Sequence, residues 1–133
     1  MRYEAVAYTL RAPITWFFNT LTIRREMNWL KIIHRCFNLD RVLYSSHARR
    51  EMSLEEFGSI TDQEIYETIC HGEVIKTYPD DTPYPSILIF GLTSAQRPLH
   101  IVCAYNREED QTIIITAYQP DPNKWDDYRR RKR

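Results

Sequence analysis

Hydrophobic positions along the chain fall into two regimes. From Met27 to Gly72 they recur at helical spacing, and from Glu73 to Tyr118 they alternate or run in near-continuous blocks. Within residues 28–37, Trp29, Ile32, Ile33, Cys36 and Phe37 share one face, while Lys31, His34 and Arg35 lie on the others. That spacing predicts an amphipathic helix. Residues 40–45 are short and β-branched enough for a strand or an extended connector. Ser46 is placed to cap a helix over 47–52, all good helix formers except His47. Gly58 marks a break. Thr61 with Glu64 three residues on is a capping box, and it opens a helix that turns Ile65, Ile69 and Cys70 inward and ends near Gly72.

The second half predicts strands at 73–78, 86–91, 99–105 and 112–118. Links 93–96 and 106–110 are short and polar, as hairpins require, and Pro79, Pro83 and Pro85 stiffen the loop before the second strand. Near-continuous apolar runs imply that the middle strands are covered on both faces. The fold class is therefore α+β: two or three N-terminal helices packed on an antiparallel sheet of about four strands.

Composition narrows the chemistry. With 133 residues the chain is one domain, and 43% hydrophobic residues suffice for a core. Three glycines and no glycine-rich phosphate motif exclude the Rossmann and P-loop classes. Cys36, Cys70 and Cys103 are dispersed, which disfavours a disulfide scaffold or structural zinc and suits a reducing cytoplasm. The net charge is zero, but residues 129–133 are all basic, so residues 1–128 carry −5. Such a terminus reads as a solvated tail or as a phosphate-seeking arm. The apolar stretch 12–18 is too short for a membrane span of ~18 residues, and no small-residue cleavage site follows it. The change of pattern at Met27 points to translation starting there, with 1–27 an upstream extension, 28–128 the domain and 129–133 a basic tail.

Several motifs occur in order: His47-Ala48 with Met52, Gly72-Glu73-Val74-Ile75, Tyr78-Pro79-Asp80-Asp81, Pro83-Tyr84-Pro85-Ser86, Arg97-Pro98-Leu99-His100, and Thr116-Ala117-Tyr118-Gln119-Pro120-Asp121-Pro122 with Lys124-Trp125. Over residues 28–128 the chain resembles a bacterial family of small domains without assigned function, grouped with the barnase, EndoU, colicin and RelE-like nuclease toxins. In that family's usual pattern an arginine precedes the methionine after His-Ala; here Glu51 stands there, with Arg49 and Arg50 just upstream. The resemblance implies a RelE-like toxin architecture and metal-independent RNA cleavage. It also implies RNA and a cognate antitoxin protein, sometimes of zinc-finger type, as partners, with no cofactor and no membrane.

Metal-free RNA cleavage needs a base for the ribose 2′-hydroxyl, an acid for the leaving 5′-oxygen and cations around phosphorus. Histidine suits the first two roles and arginine the third. The nominees are His47 and His100 for proton transfer with Tyr118 to orient, and Arg49, Arg50 and Arg97 for phosphate, with Tyr84 to stack a base. Each has a plainer structural reading: His47 in a helix cap, His100 as a satisfied core histidine, Arg49 and Arg50 on an exposed helix face, and Tyr118 and Trp125 as packing residues. Asp80-Asp81 read as turn formers, and no metal site is expected. The enzyme reading requires His47 and His100 on one open concavity. Separate, closed environments would favour the rival, a non-catalytic protein- or RNA-binding module.

Overall fold

The computed structural model describes residues 28–133, so the expected extension at 1–27, with its start at Met27, lies outside the described residues. Helix α1 (Trp29–Asn38) begins at Asn28, whose side chain accepts from the Lys31 amide at 3.1 Å. It is followed by strand β1 (Val42–Tyr44), helix α2 (Ser46–Leu54) and helix α3 (Asp62–Cys70). Strands β2 (Glu73–Tyr78), β3 (Ser86–Leu92), β4 (Pro98–Asn106) and β5 (Gln111–Tyr118) then form the expected antiparallel meander.

One expectation needs correcting. The sheet is mixed and five-stranded, in the order β1-β5-β4-β3-β2, because β1 joins the free edge of β5 in parallel. Three residues carry no readable period, and pairing with an otherwise open edge decides their state. A second, two-stranded sheet pairs β6 (Trp125–Asp126) with β7 (Arg130–Arg131). The first residues of the expected basic tail therefore lie in a hairpin.

The core explains which way each strand faces. Ile33, Ala48, Met52, Ile65 and Ile69 of the helices form one buried cluster with Ile87, Ile89, Leu99, Ile101, Cys103, Ile114 and Ala117 of the strands. Side chains alternate along a strand, so Leu88, Phe90, His100 and Tyr118 project from the opposite face. Leu88 and Phe90 are nevertheless buried. Over Phe90 the cover is the segment after β5, through the Tyr128 ring and the Arg129 guanidinium.

Local chemistry sets the junctions. Cys103 pairs with Ile114 and Val102 with Thr116, so Ile115 is left as a bulge. Ser45 Oγ donates to the Ile115 carbonyl at 3.0 Å and itself accepts from the Ala48 amide at 3.0 Å. The α2 cap is thus Ser45 rather than Ser46, because Ser45, at the end of β1, is the serine within reach of the bulge. The Thr61–Glu64 capping box at α3 is present in full. Helix α3 ends next to Gly72, as expected, and the glycine serves a further purpose. A β-carbon on Gly72 would sit 2.6 Å from the Thr68 carbonyl oxygen, and one on Gly91 would sit 2.5 Å from that same oxygen. The two glycines let the last turn of α3 lie directly on β3.

Candidate functional site

The register aligns Phe90 of β3, His100 of β4 and Tyr118 of β5 as a row across three strands. Above the row lies the β6–β7 hairpin. The Trp125 ring meets the His100 ring edge-on at 4.4 Å, and the Tyr128 ring stacks on Phe90 at 5.7 Å. His100 is left with 0% exposure.

Both imidazole nitrogens are satisfied. Nε2 lies 2.6 Å from the Tyr128 carbonyl oxygen, and Nδ1 lies 3.1 Å from the Tyr118 hydroxyl. A carbonyl only accepts, so Nε2 carries the hydrogen and Nδ1 accepts the phenolic proton. Burial lowers the His100 pKa, partly opposed by the bond to Tyr128. Burial also raises the Tyr118 pKa. The pair is held neutral, histidine to tyrosine.

The other nominees lie elsewhere. His47, in the first turn of α2, is exposed and makes no hydrogen bond to a described residue. Its neighbours Ala48 and Met52 are buried with Leu99 and Ile101, on the side of the sheet opposite His100. The shared concavity expected of the two histidines is therefore not formed, because the pleat sends His100 away from α2. Arg49 is engaged: its guanidinium lies 3.9 Å from the Tyr44 ring centroid and bonds both Asp62 oxygens, at 2.5 and 3.1 Å. Arg50 is exposed on α2.

Arg97 is a clamp. Its Nε donates to Gln119 Oε1 at 2.7 Å, and Nη1 donates to the Ser59 carbonyl at 3.1 Å and to Glu64 at 3.1–3.2 Å. Nη2 donates to the Gly58 carbonyl. A guanidinium with four of its five donors satisfied by protein has little left for a phosphate. Tyr84 accepts from Asn106 Nδ2 at 2.9 Å. Asn106 is six residues from His100 along β4, about 20 Å at ~3.3 Å per residue. Of the seven nominees the structure brings together only His100 and Tyr118.

The residues that complete this pair, Trp125 and Tyr128, follow the sheet. Trp125 was legible as a packing residue, but Tyr128 contributes a main-chain oxygen, for which a sequence carries no signal. Among the described residues no three His, Cys, Asp or Glu side chains converge as a metal would need, and no helix is long and apolar enough to cross a membrane.

A family described as Domain of unknown function (DUF4258) matches residues 44–119, more than half of the chain. The chain belongs to that family. No curated protein and no solved structure matches it. The DUF4258 segment opens at Tyr44 and closes at Gln119, one residue past Tyr118. It therefore includes all seven nominated residues, while the hairpin that seals His100 lies beyond its end. Helix α1, which contributes Ile33 to the core, precedes it.

Proposed function

We propose that this DUF4258 domain is a RelE-like, toxin-type ribonuclease whose proton acceptor is His100, oriented by Tyr118, with no role for His47. The observation that carries the reading is the meeting of His100 and Tyr118, 18 positions apart, at 3.1 Å on one sheet face. A neutral imidazole has the charge a general base requires, although under the Tyr128 carbonyl its hydrogen sits on Nε2. In the reaction the ribose 2′-oxygen bonds to phosphorus and its proton passes to Nε2. The bond from phosphorus to the 5′-oxygen breaks, and that oxygen takes a proton from water. To accept at Nε2 the ring carries its hydrogen on Nδ1 instead, donated to the Tyr118 oxygen. Arg50, on the far side of the sheet, is left for contact with RNA backbone away from the centre. RNA and a cognate antitoxin in a cytoplasmic setting are the partners this reading entails.

A second reading is favoured by the geometry set out for it: His47 and His100 share no concavity, and His100 is closed off. A histidine with no exposure and both nitrogens bonded is what a non-catalytic protein- or RNA-binding module would keep as core. The test uses purified full-length protein and a fluorescent single-stranded RNA in EDTA. The ribonuclease reading predicts slow cleavage that His100→Ala abolishes, that Tyr118→Phe reduces at least tenfold and that His47→Ala retains. Cleavage lost with His47→Ala but kept with His100→Ala would refute it. Tight RNA binding with no cleavage by any form would establish the binding module.

A further inference from the structure

Past Pro120, which is fully buried, segment 121–133 is joined to the domain in an unusual way. Its bonds from backbone to backbone among the described residues are all internal: β6 with β7, Lys124 to Asp121, Arg129 to Asp126 and Lys132 to Lys124. It adds no strand to the five-stranded sheet. Instead it is seated by ring contacts of Trp125 and Tyr128, by the Tyr128 carbonyl on His100 and by an ion pair of Arg129 with Glu73. Arg129 also lies over the Phe90 ring, 4.9 Å from its centroid. The ion pair is roughly half-exposed on both sides, at 45% and 49%, so water and salt weaken it.

Two further features suit a piece that moves. The hairpin turn holds Asp127 at φ 53° and Tyr128 at φ 59°, with Arg129 N bonded to the Asp126 carbonyl at 3.0 Å. This geometry prefers Asn-Gly, and a tyrosine in it is held against its own preference. What the strained turn does is aim the Tyr128 carbonyl at Nε2. Beside it opens a groove of about 390 Å³ lined by His71, Glu73, Phe90, Ser94, Gln96 and Arg129, which leaves the hairpin space to shift.

We infer that segment 121–133 is an autoinhibitory lid that swings just after the buried Pro120 and releases the His100–Tyr118 pair when it lifts. This rests on the ribonuclease reading for its consequence, though not for its motion. The lid inhibits in two ways. It fills the face where RNA would lie, and its carbonyl keeps the hydrogen on Nε2, the nitrogen that must be bare to accept a proton. Lifting removes both obstacles without moving the sheet. The domain's own backbone, already a hydrogen-bond acceptor at Nε2, occupies the place of substrate.

The test follows His100 and the hairpin separately from activity. Deuterium uptake at histidine C2 and at backbone amides is read by mass spectrometry in the full-length chain, and His47 serves as an exposed internal standard. In the wild type, amides of 125–131 should exchange at least a hundredfold faster than those of β3–β5, and His100 C2 uptake should track the hairpin. In Trp125→Ala/Glu73→Gln, His100 should label at a rate within a few-fold of His47, with β3–β5 still protected and RNA cleavage in EDTA raised at least tenfold. If His100 in the wild type labels only together with β3–β5, the segment is part of the core and no lid exists; this holds even if the double variant does not fold. If His100 opens in the variant but RNA stays intact, the lid stands and the ribonuclease reading falls.

Discussion

At His100 the surroundings fix a protonation state. Burial lowers its pKa, so the native imidazole stays neutral to lower pH than the unfolded one. As pH falls below the ordinary histidine value of about 6.5, the unfolded chain binds a proton that the native chain declines. Stability falls from there until native His100 itself titrates, and above that value this group contributes no pH dependence. Urea unfolding at pH 7.5 and 5.5 checks this: His100→Gln should lose less stability on acidification than the wild type, and equal losses would contradict it. Arg97 gives a second prediction at this scale. Arg97→Ala leaves two carbonyls, Gln119 and the half-buried Glu64 without their donor, at a cost of about 2–3 kcal/mol. Arg97→Lys should restore little, since an ammonium cannot span four acceptors in fork geometry. Recovery to wild-type stability with lysine would show that charge alone suffices.

At the scale of elements, the closeness of α3 to β3 is the most exacting contact. Gly91→Ala drives a β-carbon into the Thr68 carbonyl, with backbone on both sides, and should destabilise by about 1–3 kcal/mol as overpacking does. Thr61→Ala removes the α3 cap and should cost about 1 kcal/mol. Thermal or urea unfolding reads both, and an unchanged Gly91→Ala would mean that α3 can back away from the sheet. These elements also show what a sequence makes legible. Helix α3 and the four-strand meander were readable because capping chemistry and alternation are local signals. Strand β1 was ambiguous because Val42-Leu43-Tyr44 is too short to show a period, and its parallel pairing depends on an edge formed 70 residues later. The capping serine shifted from Ser46 to Ser45 for the same kind of reason, since the bulge at Ile115 selects the partner.

At the scale of the molecule, the sheet divides two sets of chemistry-bearing residues that a linear reading placed together. His47, Arg49 and Arg50 belong to α2, whereas His100 and Tyr118 face the hairpin, so which of the nominated residues meet was not legible. Knowing that His100 alternates with Leu99 and Ile101 does not say which face the helices take. The seal over His100 depends on a main-chain oxygen placed by a left-handed Tyr128, and nothing in the identity of that residue announces it. The region matched to DUF4258 ends before this seal, so His100 and Tyr118 lie inside it and their cover lies outside. A short single-stranded RNA incubated with Trp125→Ala/Glu73→Gln in EDTA, with fragment ends identified by mass spectrometry, tests the central claim directly. Fragments ending in 2′,3′-cyclic phosphate and 5′-hydroxyl, absent once His100→Ala is added, are the predicted result. RNA left intact by a folded chain whose His100 is open to solvent would contradict it.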